Sequence, residues 1–414
     1  MTSRRNIVIL GGSYGGISTA HYALKHTINT LPEKELYQVV LISASSQAMS
    51  RPACPRALIS DDMFPQNKLF VDVPSHFSQY PESSFRFVQA SVKSVDHEAR
   101  TVTYSLSTGN SETLGFYALV IATGATTKSP LMGFNPDETS LKEAWKKFRG
   151  ALSTAESIVV AGGGPTSIET AAELGEYLNG TPGMFASELK NPKIAITVVS
   201  GSSHILPLLR PSIGKTAEQY LARLGVKVIK DTRVTKVEPP NAGSDMDGLT
   251  SRATLSLSNG KTVEADLFIP ATGLSPNTSF LSPSLLDANS KVATNFTTLR
   301  VEKAGPFIYA IGDCSSYARP AIHNILSTVP ILGNNLKRDL LLAAGKLESE
   351  VPKEKQFKED TREMQLVPIG KSKGVGAAMG WKVPSFFVWL IKGRDYWLWT
   401  IGNLWSGKQW AKEA

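Results

Sequence analysis

Two glycine-rich turns dominate the residues of this chain that could do chemistry: Gly11, Gly12, Ser13, Tyr14, Gly15 and Gly16 near the start, and Gly162, Gly163, Gly164, Pro165 and Thr166 about a domain's length later. In each, small residues let backbone N–H groups close on a diphosphate, and a helix opening after the turn adds positive potential. Each copy departs once from the G-x-G-x-x-G spacing, with Ser13 at the second glycine position of the first and Ser167 at the third of the second. One degenerate motif is weak evidence, since an ordinary strand-to-helix turn reads the same way. Two at domain spacing predict two bound dinucleotides, the natural pair being a resident flavin dinucleotide and an exchangeable nicotinamide one. The chemistry expected is hydride transfer between them, which needs aligned rings rather than a catalytic acid or base.

Each turn follows a short apolar strand and opens a helix with small residues on its inner face, the start of a βαβ unit. The second strands end at Ser43 and Ser200, where a ribose-binding acid usually stands. A Ser43 hydroxyl can still bond a ribose oxygen, with less discrimination. The missing acid after the second unit, with His204 and Arg210 downstream, makes NADPH acceptable beside NADH, although a solvated role for both basic residues is equally open. Glu169 and Glu173 share one face of the second helix. Glu169 is the only side chain nominated beside the nicotinamide, and stabilising the first helical turn is its competing role. Three further apolar strands lead into Ala122-Thr123-Gly124, Ala271-Thr272-Gly273 and Gly312-Asp313-Cys314, small enough to pass close to a cofactor.

The expected fold is therefore α/β, with two Rossmann-like dinucleotide-binding domains, one inserted in the other, and a smaller C-terminal region. Residues 1–130 and 264–335 would form the FAD domain, 131–263 the NAD(P)H domain, and 336–414 a C-terminal domain with a tryptophan-rich tail. Residues 239–245 read as a surface loop between two strands, and 346–363 as a charged, solvated connector.

Composition bounds the function classes. The 414 residues are 42% hydrophobic and 19% charged, as in ordinary globular proteins. The net charge of +8 is spread along the chain, which argues against nucleic acid as a partner. Cys54 and Cys314 are too isolated to suggest a disulfide framework or a dithiol centre, and no metal site is expected. The start of the chain leaves no room for a signal peptide, Thr2 stands where myristoylation needs Gly, and no apolar run reaches the ~18 residues of a spanning helix. The expected location is intracellular, cytoplasmic or peripheral on a membrane. From Trp381 onward lie six of the seven tryptophans, with Phe386, Phe387 and Tyr396 among Lys382, Lys392, Arg394, Lys408 and Lys412. Such a tail suits peripheral membrane contact through residues 381–414, or packing over the flavin or another subunit.

Taken in order, these motifs resemble the two-dinucleotide flavoprotein superfamily of pyridine nucleotide oxidoreductases. Within it the chain is most similar to the apoptosis-inducing-factor-like branch that includes the ferroptosis suppressor protein family, its fungal members above all. The resemblance is carried by Leu10 to Gly16, Pro52 to Arg56, Gly162 to Thr166 with Glu169, Ile311 to Cys314, and Ile391-Lys392-Gly393-Arg394-Asp395 before an aromatic run. It implies FAD and NADH or NADPH as cofactors, Asp313 on the ribityl chain, Arg56 as a flavin contact, and Val92 as a backbone contact near adenine. It also implies a quinone-like acceptor. His323 is a candidate proton donor to that acceptor, or else a packed residue. Two other functions stay open: a nucleotide-binding redox-sensing or death-signalling protein, and a tailoring flavoenzyme acting on a small metabolite. The oligomeric state is not legible.

Overall fold

The computed structural model describes residues 4–183 and 186–413. Thr2, on which the expectation about a lipid anchor rests, lies outside them. The elements that position the site are, in chain order, β1 (Arg5–Leu10), α1 (Tyr14–Tyr22), β2 (Tyr37–Ser43), β3 (Phe85–Asp96), β4 (Ala118–Ile121), α2 (Glu138–Leu152), β5 (Ser157–Ala161), α3 (Pro165–Asn179), β6 (Ala195–Val199), α4 (Pro211–Arg223), β7 (Val226–Ile229), β8 (Leu267–Pro270), β9 (Ile308–Ala310), α5 (Ile322–Ala343) and α6 (Leu398–Trp405).

The first sheet has the order β9-β4-β1-β2-β3, every pair parallel. Parallel strands are covered on both faces, so their sequences must be apolar without alternation. Ile7, Val8, Ile9 and Leu10 of β1 are accordingly fully buried. β3 runs on into an antiparallel meander with Thr101–Leu106 and Ser111–Gly115. The second sheet has the order β7-β6-β5-β8, again parallel. A three-stranded antiparallel ribbon, Val234–Glu238, Ala253–Leu257 and Thr262–Ala265, packs Leu255 and Leu257 with Val159 and Phe268 of that sheet. In both sheets the glycine turn follows a strand flanked on opposite sides by its two neighbours. That is the switch point where a crevice opens at the strands' carboxyl ends. The α/β fold with two Rossmann-like units is thus as expected, and the domain limits need correction. β8 pairs with β5 in the register Ile158 to Leu267, so the inserted unit runs past 264 and closes its sheet with the strand first given to the flavin domain. The chain leaves along Ala125–Thr127 and returns along Leu274–Pro276, two short strands paired antiparallel. At the other limit, α5 runs unbroken through residue 335. It lies so close to α1 that a methyl group on Gly333 would fall 2.2 Å from the Tyr22 ring.

One loop expectation changes, and the charged connector over 346–363 is largely exposed as expected. Residues 239–245 are not wholly at the surface, because Ala242 is buried and Gly243 packs under the Phe268 carbonyl. The charged connector is tied down, with the side-chain amides of Asn334 and Asn335 donating to the carbonyls of Lys353 and Lys355.

The aromatic tail divides in two. Trp405 and Trp410 are buried against α1, with the Trp405 ring 5.0 Å from that of Tyr14. His21 Nε2 lies 2.9 Å from the Trp405 carbonyl, Lys25 Nζ donates to that of Gly407, and His26 Nε2 lies 2.8 Å from that of Trp410. A carbonyl only accepts, so His21 Nε2 carries the proton and Nδ1 accepts from the Tyr80 hydroxyl. Each buried aromatic of this kind contributes about 1.5–3 kcal/mol of transfer free energy. By contrast Trp381, Phe386, Phe387, Leu390, Ile391 and Trp399 stand exposed, Trp381 at 80%. No helix among the described residues is long and apolar enough to cross a membrane.

Candidate active site

The two glycine turns are geometrically alike. Gly11 and Gly162 both take positive φ, +112° and +133°, where an L side chain is strained. A methyl group on Gly11 would lie 2.3 Å from the Ala122 carbonyl oxygen, and one on Gly162 2.5 Å from that of Ala271. Each turn is therefore pressed against the carboxyl end of the crossing strand. Gly12 faces Ser43 Oγ, and Gly163 faces Ser200 Oγ, at 2.5 and 2.3 Å from the same notional methyl. The departure at Ser167 also has a cause. In the first turn a methyl on Gly16 would lie 1.7 Å from the Gly11 carbonyl, whereas in the second the Ser167 Cβ sits 3.5 Å from Gly162's notional methyl.

Helices α1 and α3 start at these turns, and neither N-cap, Ser13 or Gly164, makes a side-chain capping bond. Their first-turn amides thus face the crevice beside a surface that side chains have been kept off, which suits a diphosphate. Tyr14 closes the first turn from inside, its hydroxyl 3.4 Å from Ser50 Oγ. At the second turn, Pro165 opens α3 and nothing crowds Gly164. The Thr166 carbonyl accepts from the Thr170 hydroxyl.

Ala122, Thr123 and Gly124 follow β4 at the same edge. Thr123 Oγ1 donates to the Asn277 carbonyl, and Asn277 Nδ2 returns a bond to the Thr123 carbonyl, so the outgoing and returning crossings are stitched together. Gly124 and Gly273, both at positive φ, immediately precede those crossings. Asp313 emerges just beyond β9. Burial raises its pKa, while Arg51, whose Nη1 is 4.0 Å away, lowers it. Val92 lies three residues beyond Gln89, which pairs with Ser43, and there its strand has passed into the antiparallel meander, opposite Tyr104. Gly11, Gly12, Ser13, Tyr14, Gly15, Gly16, Ser43, Ala122, Thr123, Gly124 and Asp313 all derive from one sheet's carboxyl edge, and Gly162 to Thr166 with Gly273 from the other's.

Glu169 is buried on α3, and its carboxylate is 2.5 Å from Lys392 Nζ. Burial pushes its pKa up to about 7, against the pull of Lys392. Lys392 Nζ also donates to the Leu366 carbonyl and stands over the ring of Trp397. One turn on, Glu173 takes a bidentate pair from Arg56, at 2.7 and 2.9 Å, and a bond from the Tyr396 hydroxyl. The expectation of Arg56 as a flavin contact is corrected here. Its remaining donors go to the carbonyls of Gly370, Gly393 and Arg394, and its plane lies over Tyr396. All five N–H groups are thus used within the protein, making Arg56 a clamp that joins the segment after β2, α3 and the tail. Arg210 is likewise engaged, by Glu363 and the Gly380 carbonyl. His323 is half-buried at the start of α5, and burial lowers its pKa. Cys54 and Cys314 are buried free thiols, and burial pushes Cys54 up to about 12. No three potential metal ligands cluster among the described residues.

Sequence reasoning missed Lys392, Arg51 and the partners of Glu173. Lys392 lay within a quoted motif, but nothing local tied it to Glu169.

The sequence profile of the pyridine nucleotide-disulphide oxidoreductases matches residues 5–330. Oxidoreductase phnG of Penicillium herquei is 59% identical over 411 residues, 99% of this chain and 98% of that protein. Ferroptosis suppressor protein 1 of Taeniopygia guttata is 24% identical, over 94% of this chain and 92% of its own length. Among solved structures, NDH2 from Plasmodium falciparum in complex with NADH superposes with a TM-score of 0.65 at 16% identity, covering 99% of both chains.

Proposed function

The chain belongs to the pyridine nucleotide-disulphide oxidoreductase family, whose members use FAD and NAD(P)H, and from that premise we propose that it passes electrons from NAD(P)H to a quinone-like acceptor. The observation that carries this reading is the matched pair of glycine turns, each pressed on its own crossing strand. FAD, when bound, supplies the hydride-accepting and electron-donating chemistry.

The remaining work falls to the chain. Residues 11–16 hold the diphosphate of FAD, Ser43 a ribose hydroxyl, the backbone near Val92 the adenine, and Asp313 the ribityl chain. Residues 162–166 hold the diphosphate of NAD(P)H, with Gly273 leaving room at the crossing. Glu169 and Lys392 form a pair able to hold or release a proton near neutral pH, which an acceptor taking up two electrons and protons requires. The exposed Trp381, Phe386, Phe387, Leu390, Ile391 and Trp399, beside Lys382 and Arg394, rest on a lipid surface from which the acceptor arrives.

A second reading keeps the hydride step and gives the electrons to a small metabolite. Anaerobic stopped-flow bleaching of the flavin with NADH or NADPH, then reoxidation by a short-chain quinone, separates the readings. Fast bleaching with quinone-dependent reoxidation supports the first. Reoxidation no faster with quinone than without it removes that acceptor and leaves the second.

A further inference from the structure

The second nucleotide unit carries a cation whose position the sequence did not suggest. β6 ends at Val199 and continues into Ser200, Gly201, Ser202 and Ser203, so no carboxylate stands where a dinucleotide fold places one against the adenosine 2′-hydroxyl. The loop after β7 is bonded along this segment. Ser200 N donates to the Ile229 carbonyl, Thr232 N to the Ser200 carbonyl and Asp231 N to the Ser202 carbonyl. This brings Arg233 directly over Gly201, where a methyl group would lie 2.7 Å from Arg233 Cγ and 2.9 Å from its Nε. The glycine is what lets the arginine stem cross the end of the strand.

Arg233 is held by its backbone, with N donating to Ser258 Oγ and its carbonyl accepting from Ser258 N. Among the described residues its exposed guanidinium has no ion pair or side-chain hydrogen bond. The neighbouring cations are committed elsewhere, Lys230 to Glu218 and Arg210 to Glu363. Asp231, the loop's own acid, is exposed and forms no ion pair either.

We infer that Arg233 recognises the 2′-phosphate of NADPH, with the hydroxyls of Ser202 and Ser203 beside it, and so sets the preference between the two nicotinamide nucleotides. This rests on the reading that residues 162–166 hold the nicotinamide dinucleotide. A planar guanidinium matches a phosphate dianion with two parallel donors, and the serines add neutral ones without repelling it. Because the site is open to water, the contribution weakens as salt is added.

The test is calorimetric titration of the flavin-loaded full chain with adenosine 2′,5′-bisphosphate and with adenosine 5′-monophosphate, which lacks the 2′-phosphate. The wild-type chain should bind the bisphosphate about tenfold more tightly or better, an advantage that shrinks with salt. Arg233→Ala should bind both alike, and Arg233→Lys should keep part of the difference. In flavin reduction, Arg233→Ala should raise the Kd for NADPH by a similar factor and leave that for NADH within about twofold. Equal binding of the two fragments by the wild-type chain, or an unchanged preference in Arg233→Ala, overturns the role of Arg233 while leaving the nucleotide site intact. Failure of both fragments to bind overturns the placement of the dinucleotide itself.

Discussion

Lys392 Nζ lies 2.5 Å from Glu169 Oε1, joining residues 223 positions apart into a pair that is more than nine-tenths buried. Beside it Arg56 and Tyr396 meet Glu173, one turn on along the same helix, in a second buried set. Together they lock the C-terminal segment onto the helix that follows the second glycine turn, a contact that the tail's own composition does not show.

Removing one partner of such a pair leaves an uncompensated charge away from water. Lys392→Met should therefore cost about 3–5 kcal/mol, or drive the Glu169 carboxyl to its neutral form at pH 7. The double variant Lys392→Met with Glu169→Gln should recover most of the loss. Urea denaturation of the four proteins measures the coupling, and additive single and double effects would contradict it.

His21 and Glu169 should give the stability curve opposite slopes. Burial holds His21 at about 4, so its unfolded form binds more protons; its contribution is complete above about 6.5 and is lost as pH falls through 4. Glu169, raised to about 7, binds more protons when folded; its contribution is complete below about 4.5 and is lost as pH rises through 7. His21→Phe should flatten the acid limb and Glu169→Gln the neutral one. Tm recorded from pH 4 to 8 checks both, and an acid limb unchanged in His21→Phe rules out the histidine as its source.

The two glycine turns should fail separately. Gly11→Ala forces a side chain at φ +112° against the Ala122 carbonyl and should yield protein with little flavin. Gly162→Ala makes the same conflict with Ala271 and should keep its flavin absorbance yet lose reduction by NAD(P)H, while dithionite still bleaches it. Loss of flavin in Gly162→Ala alone would reverse the assignment of the two sites.

The divided tail predicts two distinct phenotypes. Trp405→Ala removes a buried ring packed on Tyr14 and should destabilise by about 3–5 kcal/mol. Replacing Trp381, Phe386 and Phe387 together by Ser should leave Tm nearly unchanged and abolish sedimentation with anionic vesicles. Vesicle binding that survives this triple replacement removes the exposed aromatics as a lipid contact.

The parallel strands, both glycine turns and the two-unit plan were legible because each is written in a few adjacent residues: an apolar run, a turn that tolerates no Cβ, a helix start. The charged contacts around α3 were not. Glu169 was nominated from its helical position, but its partner sits in the tail, and Arg56 was drawn from a motif whose guanidinium turned out to be fully spent on Glu173 and carbonyls. The domain limit failed for the same reason, since β8 has the composition of either sheet and only pairing with β5 assigns it. By itself the sequence determined where diphosphates can approach the backbone, because that depends on local conformation and the absence of side chains. Which charges meet, which tryptophans are buried and which arginine crosses Gly201 were decided by the tertiary structure, because those contacts join segments whose separation along the chain leaves no local pattern.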